Sequence, residues 1–499
     1  MNPDVGLWGP EELVTASQGE IDGALDGAVT GFSIDSRTIE PGEVFVALQD
    51  QRDGHQFVGA AFERGAAAAL VRRDYRRTPG DKALIRVDDT LDGLRSIARA
   101  GRARLSAEAR VVAVTGSVGK TGTKEMLRAC LSRLGATHAP EKSYNNHWGV
   151  PLTLARMPAD TRYAVLEIGM NHPGEITPLT KLARPHVAIV TTVEPVHLGF
   201  FDSVEQIADA KAEIFLGLES FQDGLLEGDN GIAGAAWAPY TAVLNHDNLY
   251  FERLANRARL IGAEIISFGR RATSDVRLAE AVLNADGSEV DARIGSRLAE
   301  RAGLAELRYS IAAPGEHVVV NSLAVIAALG ALGADVKEAV PALAAYSTPA
   351  GRGVRETLIT AGGTVLLVDE SYNANPASMR AALATLALVP RSDYQRRVAV
   401  LGDMLELGSR SCELHAGLAD AIDAAGVDLV LAAGPHMRSL CDRLDGRVPA
   451  VWSETSESLK EPTLRAIRAG DAVMVKGSLG SRMGLIVAAL RERFDAGGG

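Results

Sequence analysis

The stretch Val111-Val112-Ala113-Val114-Thr115-Gly116-Ser117-Val118-Gly119-Lys120-Thr121 decides the fold. Its first five residues form an apolar, β-branched run closed by a threonine. That is the pattern of a strand buried on both faces of a parallel sheet. Two glycines follow, and Lys120-Thr121 opens a helical pattern that runs over 121–134. Strand, glycine turn and helix in this order build an anion cradle. Glycines let backbone N–H groups turn inward, and the helix N-terminus adds its dipole. Lys120 supplies a point charge for β- and γ-phosphates, and the Thr121 hydroxyl can ligate Mg²⁺. The general phosphate-loop pattern places a glycine five residues before the Gly119-Lys120 pair, and Val114 stands there instead. The stretch predicts a nucleotide site lined by Gly116, Ser117, Val118, Gly119, Lys120 and Thr121. It leaves the reaction open.

Outward from this stretch, strand patterns at 163–168, 187–192 and 241–245 alternate with helical ones. Repeated β-α-β units imply a parallel sheet with helices on both faces. From 275 to 311 the pattern shifts to short alternating segments around the turn Asn284-Ala285-Asp286-Gly287-Ser288, which predicts an appended antiparallel hairpin. A helix over 318–332 closes this unit. Upstream lie strands at 31–37, 44–48 and 66–71, a helix over 56–65, and an amphipathic helix over 91–110. Downstream, the turn-rich Ser347-Thr348-Pro349-Ala350-Gly351-Arg352-Gly353 marks a boundary. Strands at 365–369, 397–401, 429–432 and 472–475 then alternate with helices. The fold expected is α/β in three domains. They are a small N-terminal α/β domain over 1–109, a central phosphate-loop ATPase with a mostly parallel sheet over 110–346, and a Rossmann-like C-terminal domain over 347–499. Gly497-Gly498-Gly499 reads as a disordered tail.

The length of 499 residues fits about three domains. With 46% hydrophobic and 23% charged residues, disorder throughout is excluded. Lys and Arg total 52 against 63 Asp and Glu, so the net charge of −11 excludes a global basic footprint for nucleic acid. The basic run Arg72-Arg73-Asp74-Tyr75-Arg76-Arg77 is interrupted by acid and reads as a solvated face. Cys130, Cys412 and Cys441 form no CxxC pair, which argues against a disulfide framework or a zinc knuckle. The start, Met1-Asn2-Pro3-Asp4, has no basic and apolar leader pattern, and no run of ~18 apolar residues marks a membrane span. A cytoplasmic protein is expected.

Further motifs narrow the reading. Lys142-Ser143-Tyr144-Asn145-Asn146-His147-Trp148-Gly149-Val150-Pro151-Leu152-Thr153-Leu154 and Glu167-Ile168-Gly169-Met170-Asn171-His172-Pro173-Gly174-Glu175-Ile176 follow the loop. Pro195-Val196-His197-Leu198 and Ala210-Lys211-Ala212-Glu213-Ile214 come next. Asp369-Glu370-Ser371-Tyr372-Asn373-Ala374-Asn375-Pro376 and Leu401-Gly402-Asp403-Met404-Leu405-Glu406-Leu407-Gly408 lie in the last third. In order and spacing the chain resembles the Mur ligase superfamily of ATP-dependent amide-forming enzymes, along essentially its whole length. The last two segments are similar to the member that adds D-alanyl-D-alanine. The Asp-Asn-Pro-Arg string often found in the diaminopimelate- or lysine-adding member is absent.

The resemblance implies a two-step reaction. ATP phosphorylates the terminal carboxylate of a UDP-N-acetylmuramoyl tripeptide, and the amine of D-alanyl-D-alanine attacks the acyl phosphate. It implies catalytic roles for Lys120, Glu167, His197 and Lys211, with Thr121, Glu167, His197 and Lys211 around Mg²⁺. Lys211 is expected as a carbamate, whereas read without the resemblance it is an ordinary solvated helix lysine. Asn145 and Asn146 would reach the muropeptide or the metal shell, and Asn171 and His172 would lie near the nucleotide or the tripeptide. Asn321, in a Gly315-Glu316-His317 context where Val318 replaces a family asparagine, would face adenine. Arg352 would reach the γ-phosphate on domain closure, Asp369 would hold the ribose, and Tyr372 and Asn373 would flank ATP. Asn375, His415 and Lys476 would face the incoming dipeptide, and Asp403 and Glu406 read as turn residues. Ser36 and Arg37, after Asp35, suit a uridine diphosphate, since Arg forks match phosphate oxygens. His55 in Asp53-Gly54-His55-Gln56-Phe57 has either a structural or a substrate role. No role is assigned to His147 or Trp148. With a net charge of −11, two anionic substrates would be captured by local devices: Arg37, the loop, Lys120, Arg352 and Mg²⁺. A monomer is expected.

Overall fold

The computed structural model describes residues 6–219, 240–360 and 362–495; the first four residues and the glycine tail read above lie outside them. Three sheets carry the chain. The central one has nine strands, in spatial order Glu306–Ile311, Ser288–Ile294, Val276–Leu283, Glu264–Gly269, Thr241–Asn245, Val187–Val190, Arg110–Thr115, Tyr163–Glu167 and Thr137–His138. Pairing is parallel from Thr137–His138 through to Val276–Leu283 and antiparallel over the last two ladders. The expected hairpin is therefore a three-stranded meander, with helix Ser296–Ala302 before its last strand. Strand Arg110–Thr115 lies between Tyr163–Glu167 and Val187–Val190, so the chain leaves it first to one side and then to the other. Such a switch point opens a crevice at the carboxyl ends of the strands. The glycine loop sits there.

Helix Glu316–Ala331 is apolar on nearly every side. It has little amphipathic character because it packs both on the central sheet and on helix Lys120–Ser132, burying its surroundings as well.

The N-terminal sheet runs Glu20–Asp22, Ala83–Val87, Ala68–Arg72, Glu43–Val46, Gly31–Ser33, parallel except for the first. Two of these strands, Glu20–Asp22 and Ala83–Val87, had no counterpart in the sequence pattern. Helix Thr90–Ala103 ends seven residues short of the expected 110. The Arg104 guanidinium folds over the Trp8 ring and donates to the carbonyls of Leu7 and Met157, which turns the chain out of the helix. This sheet shares its core with the central domain, because Leu152 and Ala155 belong to the same buried cluster as Trp8, Phe32 and Leu94. Trp8 Nε1 donates to Ala155 O at 2.8 Å, and Arg102 donates to the carbonyls of Ala183 and Arg184.

The third sheet runs Val354–Thr360, Gly363–Glu370, Asp471–Lys476, Arg396–Gly402, Leu429–Ala433, Ala450–Ser453, with only the first strand antiparallel. Its two cores are made of its own residues. Among the described residues no helix is long and apolar enough to cross a membrane.

Candidate active site at the phosphate loop

The turn after Arg110–Thr115 is made at Gly116, with φ +148°, two residues beyond the position the general pattern assigns. Val114 thus stays a buried strand residue. The loop is clamped to the segment after Val187–Val190. Ser117 N donates to Thr192 O at 2.9 Å, Ser117 Oγ donates to Glu194 O at 3.1 Å, and Thr191 Oγ1 donates to Val118 O at 2.5 Å. A Cβ on Gly116 would lie 1.9 Å from Thr191 Oγ1. Gly119, at φ +86°, opens helix Lys120–Ser132, and the Asn321 amide lies against it, 2.6 Å from where a Cβ would stand. Asn321 therefore touches the loop itself. Lys120 Nζ bends back to donate to Gly116 O at 2.6 Å. Burial lowers its pKa while the Glu167 carboxylate opposes that shift.

Four chain segments converge beside Lys120. Thr121 Oγ1 donates to Glu167 Oε2 at 2.8 Å, and Asn145 Nδ2 donates to Glu167 Oε1 at 2.7 Å. Ser143 Oγ lies 3.3 Å from Thr121 Oγ1 and accepts from Arg352 Nη2 at 3.2 Å. Arg352 also lies over the Tyr372 ring, 4.3 Å from its centre, in cation–π geometry. Ser143 was missed in the sequence; its only signal was a hydroxyl residue two positions before Asn145.

The donor set suits a hard divalent cation, which takes hydroxyl and carboxylate oxygens. Glu167 is 1% exposed and makes no ion pair among the described residues, so its charge is met only by neutral donors and by Lys120 nearby. Among the described residues no three His, Cys, Asp or Glu side chains gather in ligating geometry. Thr121 and Glu167 meet, while His197 engages Glu406 through Nδ1, and no hydrogen bond occupies its Nε2 among the described residues. A cation bridging phosphates draws most ligands from phosphate and water, which explains a sparse protein set.

His197 stands at φ +55°, and its Nδ1 lies 2.5 Å from Glu406 Oε2 of the C-terminal sheet's loops. Glu406 is thus no mere turn residue. Lys211, on helix Val204–Ala212, is 2% exposed, which overturns its reading as a solvated helix lysine. Burial, and then the charge of Lys120, push its pKa well below the ordinary value. A lysine whose charged form is disfavoured in this way gains nucleophilicity.

Several expected substrate residues are instead occupied by local structure. Asn146 Oδ1 accepts from Trp148 N and Gly149 N, in the turn that leads into helix Gly149–Ala155. Asn171 and His172 are exposed; Asn171 donates its backbone N–H to Glu175 Oε2, the His172 ring pairs with Glu175 Oε1, and that ring lies 4.5 Å from that of Phe200. Asn375 forms a capping box with Ser378 at helix Pro376–Ala387. His415 is fully buried, accepting from Met404 N at Nε2 and facing Ser411 O at Nδ1, so it cannot meet a dipeptide. Asp403 accepts from Met437 N at 3.0 Å, a structural tie to the start of helix Met437–Leu444 rather than a bond within its own turn. His55 accepts from Arg72 N and pairs with Asp53, which makes it a structural tie. His317 is exposed and folds back on Gly315.

The remaining expected residues lie at or just beyond strand ends of the two outer sheets. Asp369 accepts from Ser371 N and Oγ, and Asn373 caps its own neighbour Ala374 N. Lys476 Nζ donates to Glu370 Oε2 and Asn373 O, both at 3.0 Å. At the far end, Arg37 grips Asp35 with two N–H groups while its side chain stays 84% exposed. That fork holds the Asp35 carboxyl at about 2. Ser36 sits beside it, half-buried.

The family description "Mur ligase middle domain" matches residues 114–329, and "Mur ligase, glutamate ligase domain" matches 355–479. The chain is 34% identical over 484 residues to the UDP-N-acetylmuramoyl-tripeptide–D-alanyl-D-alanine ligase of Escherichia coli, covering 96% of this chain and 98% of that one. It is 31% identical over 471 residues to the enzyme of the same name from Bacillus subtilis, covering 93% of each. A crystal structure of MurF from Acinetobacter baumannii superposes with a TM-score of 0.79 at 28% identity, over 98% of this chain and all of that one.

Proposed function

The chain belongs to the Mur ligase family, and we propose that it joins D-alanyl-D-alanine to UDP-N-acetylmuramoyl tripeptide, at the expense of ATP, in peptidoglycan precursor synthesis. The observation that carries this reading is the convergence of Lys120, Thr121, Asn145, Glu167, Ser143 and Arg352 on one point, with Arg352 arriving from beyond the central sheet. That gathers two cations and a buried carboxylate where two anionic substrates must meet. The domains are drawn at 1–109 for the UDP-muropeptide, 110–346 for ATP, and 347–499 for closure and the amine.

In the first step an oxygen of the tripeptide carboxylate attacks the γ-phosphorus and ADP leaves. Lys120 and Arg352 neutralise the γ-phosphoryl oxygens as charge moves onto the leaving group. Thr121 and Glu167 would hold Mg²⁺, with His197 as a further ligand; when bound, the ion offsets phosphate charge. In the second step the dipeptide's amine nitrogen attacks the acyl carbon. The tetrahedral adduct then expels phosphate and the nitrogen gives up a proton. Closure of the third domain excludes water, which would otherwise hydrolyse the acyl phosphate.

Burial and the Lys120 charge disfavour the charged form of Lys211, which favours attack of its amine on CO₂ with release of a proton. The carbamate would set a negative charge beside Lys120. Asn321 would face adenine, Asp369 the ribose, Tyr372 and Asn373 the nucleotide, and Ser36 and Arg37 the diphosphate. Every group is supplied by one chain, so a cytoplasmic monomer suffices. The test is phosphate release with UDP-N-acetylmuramoyl tripeptide and a panel of amines. Release that requires D-alanyl-D-alanine is expected, and turnover with a different amine alone would overturn the reading.

A further inference from the structure

The hydrogen bond between His197 and Glu406 joins residues 209 apart in sequence, from the central and C-terminal sheets. Both residues adopt left-handed backbone, φ +55° and +64°, which side-chain-bearing residues rarely do. Local strain of this kind persists only where surroundings impose it. Here two loops press together. Gly199 N donates to Glu406 O at 3.1 Å, and Phe200 N closes a turn onto His197 O at 2.9 Å. A Cβ on Gly408 would lie 3.4 Å from the Gly199 Cα, so the backbones themselves touch. On its own side, the Glu406 loop is pinned by Met404 N to His415 Nε2 and by Leu405 N to Ser478 Oγ. Glu406 therefore rides on a firm platform. Among the described residues it is the only hydrogen-bond partner of the His197 imidazole.

A carboxylate that accepts from one ring nitrogen of a histidine fixes the ring's plane and tautomer and leaves the other nitrogen with its lone pair. We propose that Glu406 is a positioning residue: carried in by the C-terminal domain, it orients His197 so that Nε2 becomes a competent ligand only once that domain has docked. This rests on the reading of His197 as a ligand of the phosphate-bound cation. Docking would thereby be reported to the phosphate site through one hydrogen bond.

The experiment measures Mn²⁺ affinity by electron paramagnetic resonance in the full-length protein with a non-hydrolysable ATP analogue and UDP-N-acetylmuramoyl tripeptide. The variants are Glu406→Ala, Glu406→Gln, His197→Ala and the double variant Glu406→Ala with His197→Ala. Second-sphere partners of metal-bound histidines are worth about 10–100-fold in affinity. Glu406→Ala is expected to weaken Mn²⁺ about tenfold, Glu406→Gln less, since its amide oxygen still accepts. The double variant should be no weaker than His197→Ala alone. If His197→Ala weakens Mn²⁺ but Glu406→Ala does not, or if the two losses multiply, the proposal is overturned. If His197→Ala itself leaves Mn²⁺ binding unchanged, the ligand reading falls first and this proposal with it. Should Glu406→Ala not fold, Glu406→Gln carries the same comparison, and equality with wild type overturns the proposal.

Discussion

Replacing Gly116 by alanine tests how the phosphate loop is held. The new Cβ would stand 1.9 Å from Thr191 Oγ1, 3.1 Å from Thr191 Cβ and 3.2 Å from Thr191 N. The hydroxyl must rotate away, which breaks its 2.5 Å bond to Val118 O and costs about 1 kcal/mol. Alanine at φ +148° adds about 1–3 kcal/mol of backbone strain. The variant should therefore lose about 2–4 kcal/mol. Thr191→Ala alone should lose about 1 kcal/mol, the same hydrogen bond. In the double variant that bond is lost only once and the nearest obstacle is gone. Its cost should fall short of the sum by about 1 kcal/mol. A third sheet with cores of its own makes a single unfolding midpoint unsuitable. Hydrogen exchange of the amides in Arg110–Thr115 and Lys120–Ser132 isolates the loop's own unit. Phosphate release should fall more than ~100-fold in Gly116→Ala, because a shift of about 1 Å misplaces the cradle. Additive stability losses, or an alanine variant with wild-type exchange, would refute the clamp.

Four further outcomes are expected. Glu167→Gln keeps the shape of the side chain but not its charge, and should cut turnover about 100-fold or more while leaving stability within about 1 kcal/mol; wild-type turnover at every Mg²⁺ concentration would contradict a metal role. Lys211→Ala should abolish phosphate release with or without bicarbonate, whereas wild type stripped of CO₂ should regain activity on adding it; unchanged activity of the variant would remove the carbamate. Asn375→Ala should cost about 0.5–2 kcal/mol through its cap while moving the KM for D-alanyl-D-alanine less than about twofold, so a tenfold rise in KM would restore a substrate role. His186 accepts from Val111 N, and burial followed by the Arg102 and Arg110 charges holds its pKa down at about 3. Its folded pKa lies below the unfolded value near 6.5, so the stability it lends is complete above pH 6.5 and drains away as pH falls towards 3. At pH 5 about 2 kcal/mol should be missing, and His186→Asn should flatten that slope in urea titrations.

What could be read from the chain, and what could not, follows physical lines. Apolar runs such as 111–115 and 241–245 announce buried parallel strands because both faces are covered. Strands Val354–Thr360 and Glu20–Asp22 stayed hidden because edge strands are half exposed and carry mixed residues. The loop, Thr121, Glu167 and Asn145 were legible because their chemistry lies in contiguous motifs. Asn375 was read as a substrate residue because an asparagine that caps a helix and one that meets a ligand look alike in sequence. Glu406 was misjudged for the opposite reason: its partner lies 209 residues away, and no local pattern announces a contact across domains. Lys211 betrays its burial only through packing, since Ala210-Lys211-Ala212-Glu213 reads as an exposed helix turn.

The shared core of the first two domains has a mechanical consequence. Leu152 and Ala155 are packed with Trp8 and Phe32, and Arg102 is bolted to the carbonyls of Ala183 and Arg184, whereas the third sheet keeps its cores to itself. The molecule is thus a caliper whose first jaw is built as one piece and whose second is built apart. The span from Arg37 to Lys120 belongs to the first jaw and is set by that shared core. On the proposed function, a substrate held by its diphosphate at Arg37 is gauged along that span, and a peptide of matching length brings its carboxylate to the phosphate loop.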